Sequence, residues 1–162
     1  MQKPTIKSGA ALLGLMTILA SSTTANAENV DATATFTGAI LDTCAVTIPT
    51  PGGLGASADA TRLGSDENGG QAAQAQVVTN NPRATLQVIA PTSFLVAPNG
   101  SDANTTFAAS HTIGGSVVDA GLTTLLPVGI TQADIDASAT KSEGAYEGGA
   151  YSMVVTVRCI TQ

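Results

Sequence analysis

Few residues of this chain could do chemistry. His111 is the only histidine among 162 residues. A Ser-His-Asp relay would have to run through it, because the imidazole carries the proton between nucleophile and leaving group. It stands in Ser110-His111-Thr112, inside a strand-like run, with no nucleophile-elbow glycine pattern beside it. A surface or half-buried histidine is the reading its surroundings favour. One histidine and two cysteines, Cys44 and Cys159, fall short of a usual zinc set. Asp66-Glu67-Asn68 and Asp134-Ile135-Asp136 offer oxygen ligands for calcium, but neither has the ligand count of a calcium loop, so solvated turn carboxylates are expected. Gly52-Gly53-Leu54-Gly55 is no phosphate loop, since no Lys-Ser/Thr pair and no helix follow. Asn99-Gly100-Ser101 and Asn104-Thr105-Thr106 match the glycan acceptor pattern and read as turns. Tyr151 reads as a packing residue at a strand entry. The chain is expected to be no enzyme, with no catalytic residue, metal ligand or cofactor.

The two cysteines point to structure instead. The chain opens like a secretory leader: Lys3 and Lys7, an apolar run of about 12 residues over 9–20, a polar stretch, then Ala25-Asn26-Ala27 as a small-x-small cleavage site. Cleavage between Ala27 and Glu28 leaves a single domain of 135 residues, 28–162. The apolar run is too short to span a bilayer. No membrane span remains after its removal, and the chain is expected in the periplasm, on the cell surface or outside a bacterial cell. In an oxidising compartment two cysteines most economically form one disulfide, Cys44–Cys159. Removing the leader takes two of the six basic residues and none of the twelve acidic ones, so the remainder carries four against twelve, a net charge of −8. That excess argues against nucleic acid or anionic lipid as partners, which need cationic surface.

The elements that would carry these residues are strands. Small and β-branched residues dominate, there is no Trp, and aromatics make up 3% of the chain, which weakens any case for a deep ligand pocket. Val30, Ala32, Ala34 and Phe36 alternate with polar residues, the period of a half-buried strand. Gly38 would permit a bend, and Cys44, Val46 and Ile48 resume the alternation. Pro49 to Gly53 stops this run, and Arg62-Leu63-Gly64 is a short strand candidate in the glycine-rich stretch that follows. Strands are also expected over residues 71–79, 84–90, 93–97, 105–113, 117–118, 122–130 and 135–139, with a helix over 131–139 as the main competitor. The last run is the cleanest: Tyr151, Met153, Val155, Val157 and Cys159 share one face. Seven to nine short strands with turn signals between them predict an all-β, antiparallel, Ig-like sandwich. Its first and last strands would be joined by the disulfide.

Two stretches carry a family resemblance. Phe36-Thr37-Gly38-Ala39-Ile40-Leu41-Asp42-Thr43-Cys44-Ala45-Val46 resembles the first strand of chaperone–usher pilins, and Leu63-Gly64 is similar to the leucine-glycine that follows there. Gly148-Gly149-Ala150-Tyr151 and the alternation after it look like the entry to the final strand in pilins and in spore-coat-U-like secreted domains. In two respects the chain departs from the pilin pattern. Pilins join the first strand to the second by their disulfide, where this chain has Ala90, and they carry a donor segment of ten or more residues before the first strand, where this chain offers residues 28–33. Residues 34–46 are therefore expected to be a built-in strand rather than a donor arm. The resemblance implies an exported, non-enzymatic fimbrial or coat subunit, or a relative. Other subunits or a periplasmic chaperone would bind it by adding a β-strand at a groove between its first and last strands. The other reading is a self-contained periplasmic or surface module that binds a cation, a glycan or an envelope protein.

Overall fold

The computed structural model describes residues 31–161, and the leader with its cleavage site at Ala27–Glu28 lies outside them. The chain divides into Met1–Gly38 and Ala39–Gln162. In the first unit the described residues, 31–38, form no regular element. The second unit is all-β, with ten strands and no helix among the described residues.

Every strand pairing is antiparallel, in two sheets. The larger is built around β9 (Gly129–Lys141). One side of β9 pairs with β4 (Ala73–Thr79) and then with β3 (Arg62–Gly64); the other pairs with β6 (Thr105–Ile113). Outside these lie β1 (Cys44–Thr50) on β4, β2 (Gly55–Ala56) on β3 and β7 (Ser116–Asp119) on β6. The smaller sheet is β10 (Thr156–Ile160), β5 (Thr85–Ile89) and β8 (Thr123–Leu125).

The period of two decides which side chains meet. Ala75 and Val77 of β4, Ala133 and Ile135 of β9, and Ala109 of β6 point inward from the larger sheet. Leu86 and Val88 of β5 meet them from the smaller one. Burying each of the larger aliphatic chains stabilises the fold by about 1.5–3 kcal/mol. A second cluster closes one end: Phe94, Phe107, Tyr146 and Tyr151 pack edge to face, with Leu63 and Ala139 beneath. Four of the chain's five aromatic residues are spent here. The β6–β7 hairpin turns on Gly114 and Gly115, both at positive φ (59° and 84°), the two-residue turn whose twist suits flanking strands and which favours glycine at both centres.

The strand expected over 135–139 forms within β9, and the competing helix over 131–139 does not. Other expectations change. Residues 93–97 make only an isolated bridge, Val96 to Ser152. The last strand starts at Thr156, five residues later than the alternation from Tyr151 suggests. The largest correction is at the start. No strand runs over the described residues before Cys44; Phe36 is 94% and Ile40 89% exposed. An apolar alternation records an amphipathic segment, but a strand also needs an edge to pair with, and 31–43 form no strand pairing among the described residues. Entry into β1 is fixed by side chains of the β4–β5 turn. The Thr43 amide donates to Asn80 Oδ1 at 2.7 Å, Asn80 Nδ2 donates to the Leu41 carbonyl at 2.9 Å, and Thr79 Oγ1 donates to the Thr43 carbonyl at 2.9 Å.

Candidate functional site

The residues singled out for chemistry are not brought together. His111 is fully buried on β6, which corrects the expectation of a surface or half-buried side chain. Its Nε2 lies 2.7 Å from Thr124 Oγ1 on β8, while Nδ1 has no partner among the described residues. Burial holds its pKa below the ordinary histidine value, because a charged ring would lose its hydration. Asp66 and Glu67 both engage Arg62, at 2.9 Å and 2.5 Å. The hydrogen bond from Arg62 lowers the pKa of Asp66. Asp136 accepts a hydrogen bond from Ser65 Oγ at 2.7 Å, and Asp134 is exposed. No group of three or more metal-ligating side chains occurs among the described residues. Asn99 and Asn104 lie exposed around the β6 entry, Asn104 at positive φ, as turn residues. Tyr151 packs in the aromatic cluster and donates its hydroxyl to the Glu147 carbonyl at 2.8 Å.

Cys44 and Cys159 are bonded, with Cα atoms 6.1 Å apart. They join β1, at the edge of the larger sheet, to β10, at the edge of the smaller one. Away from the bridge the two edges part. A groove of about 460 Å³ opens between Ile48 and residues 51–54 on one wall and residues 151–155 with Val157 on the other. Ile135 and Ala137 of β9 form its floor. Ile135 is only 4% exposed, so the groove reaches core side chains.

Both walls present unpaired main chain. β1 pairs with β4 on one side only, and its register breaks between Thr47 and Thr50. Residues 153–155 belong to no strand pairing, although Met153 and Val155 continue the inward face of β10. The glycines of residues 52–55 serve this wall rather than a phosphate: Gly53 bridges Gln71, and Gly55 packs against the backbone of residues 67–70. The groove was missed in sequence because its floor residues alternate like any core strand and its walls are irregular chain. The available signal was the alternation over 151–155, an amphipathic stretch that finds no partner edge.

No family model matches the chain, and no curated protein matches it.

Proposed function

We propose that the protein is an exported, non-enzymatic structural subunit of the pilin-like kind, whose groove accepts a β-strand from a partner. One observation carries this reading: an apolar groove with unpaired backbone on both walls and core side chains at its floor. Such a site satisfies main-chain donors and acceptors by strand addition, and its floor selects alternate side chains of the incoming segment. The described chain also carries a complementary segment. Ala32, Ala34 and Phe36 alternate with polar residues in an exposed stretch with no strand pairing. Because β1 begins at Cys44, the segment ahead of the first strand is longer than residues 28–33, which removes the objection that it is too short to donate. The disulfide suits an oxidising compartment, and no helix of the described residues is long and apolar enough to cross a membrane.

Light scattering on the oxidised, exported protein tests the reading. The full chain is expected to assemble as concentration rises, and a variant lacking residues 28–40 to stay monomeric. A full chain that remains monomeric throughout, or a deletion variant that assembles equally well, overturns it.

A further inference from the structure

We propose that residues 116–125 form a flap along one side of the sandwich, latched by the hydrogen bond between His111 and Thr124 and released in mild acid, when the imidazole takes a second proton. The flap lies on the side opposite the groove, and the proposal does not depend on strand addition there.

Topology carries the first step. After β6 the chain turns at Gly114 and Gly115, runs along the edge of the larger sheet as β7, then crosses to the edge of the smaller sheet as β8. These edges lie opposite β1 and β10, which flank the groove. The excursion is lightly held. None of residues 114–125 is buried, and Val117, Leu122 and Leu125 are exposed. β7 is four residues long and β8 three. Between them the Ala120 and Gly121 amides donate to the Ala109 and Val88 carbonyls at 2.9 and 2.8 Å. Core burial resumes at Leu126. A segment with few buried apolar contacts opens at a lower free energy than the core strands.

The latch carries the second step, because it suits only a neutral ring. Thr124 ties the flap to β6 through His111 Nε2, 2.7 Å away. A charged ring carries an N–H on each nitrogen, and Nδ1 has no acceptor among the described residues. No carboxylate offsets the charge either. The cross-strand partners of His111 are Val118 and Ile135, so Asp119, Asp134 and Asp136, one position away, point to the opposite face. β5 and β8 carry no charged residue. Arg158 of β10 pairs with Gln87, which alternates with the buried Leu86 and Val88 and so faces outward. Lys141, at the far end of β9, donates to the Ser101 and Ala103 carbonyls. Burial is what acts on the ring, and it lowers the pKa. With the flap open the ring is hydrated and protonates at its ordinary value of 6.5. Acid therefore favours the open flap.

Amide hydrogen exchange on the full, oxidised protein tests this, read as protection factors so that the intrinsic pH dependence of exchange cancels. Protection of Ala120 and Gly121 is expected to fall about tenfold between pH 7.5 and 5.5, since each pH unit below 6.5 favours the protonated, open flap by up to about tenfold. At pH 5.5 it should lie at least about tenfold below the protection of β4 and β9. His111→Gln should remove the pH dependence at both amides. Protection that holds steady from pH 7.5 to 5.5 overturns the proposal, as does a pH dependence that survives in folded His111→Gln. Protection that matches β4 and β9 throughout also overturns it, because the ring would then be reached only by global unfolding. Should His111→Gln fail to fold, Thr124→Val decides, since it cuts the latch and keeps the ring. Protection of Ala120 and Gly121 at pH 7.5 should then fall by more than that of β4 and β9, and an equal or smaller fall defeats the latch.

Discussion

His111 Nε2 and Thr124 Oγ1 lie 2.7 Å apart and join the two sheets through a side-chain hydrogen bond inside the core. β6 and β8 share no strand pairing, so this contact crosses the sandwich rather than running along a sheet. The ring is fully buried, and its second nitrogen has no partner among the described residues. A neutral imidazole fits this site and a charged one does not.

Stability is therefore expected to fall in mild acid. Above the unfolded value of 6.5 the ring is neutral in both states and contributes no pH dependence. As pH drops through it, the unfolded chain takes up a proton that the native chain resists, because the native pKa is lowered. Stability then falls by at most about 1.4 kcal/mol per pH unit, and the loss levels off below the native value. Thermal melts from pH 8 to 5 of the wild type and of His111→Gln check this. The wild type should lose more, and parallel curves would contradict it.

The bridge is expected to matter for stability. It closes a sequence separation of 115 residues between edge strands of different sheets. Replacing both cysteines by alanine should lower the unfolding free energy by about 2–5 kcal/mol. Urea titration measures this as a lower midpoint.

Phe94 is the hub of the aromatic cluster, with ring centroids of Phe107, Tyr151 and Tyr146 at 4.9, 5.2 and 5.8 Å. Phe94→Ala should cost about 3–5 kcal/mol, because it removes buried area and leaves three rings facing a void. Leu125→Ala, at an exposed position, is the control and should stay within about 0.5 kcal/mol. Similar midpoints for the two variants in urea would show that the cluster does not hold this end together.

Gly55 has no space for a side chain. A Cβ there would sit 2.5 Å from the Asn68 carbonyl, 2.6 Å from the Gly70 amide and 2.7 Å from the Glu67 carbonyl. All three are main-chain atoms and cannot swing aside. Gly55→Ala should destabilise by about 1–3 kcal/mol. Gly38→Ala, with nothing within 4 Å, should be silent in the same denaturation assay.

Much of the fold was legible in the sequence. Leu86 and Val88, or Ile135 and Ala139, alternate with polar or half-buried neighbours, and their strands lie where that period puts them. Arg62-Leu63-Gly64 forms the short strand expected within a glycine-rich stretch, and the two cysteines pair. The same period misled at residues 31–37 and 151–155. It reports that one face is apolar, whereas hydrogen bonding requires a neighbour at the right distance. His111 was misjudged for a related reason: its partner, Thr124, lies thirteen residues away and on the other sheet. The groove was illegible because it is made by two edges failing to meet.

The strand-acceptor reading is tested most directly by hydrogen exchange at the amides of Met153, Val154 and Val155 in the oxidised full chain, with and without a synthetic peptide of residues 31–40. These residues lie on the groove wall and belong to no strand pairing. Their exchange should be fast in the free, dilute protein and slow by at least tenfold when the peptide is present, with β9 unchanged. Unaltered exchange at all three amides under saturating peptide would contradict strand addition at this groove.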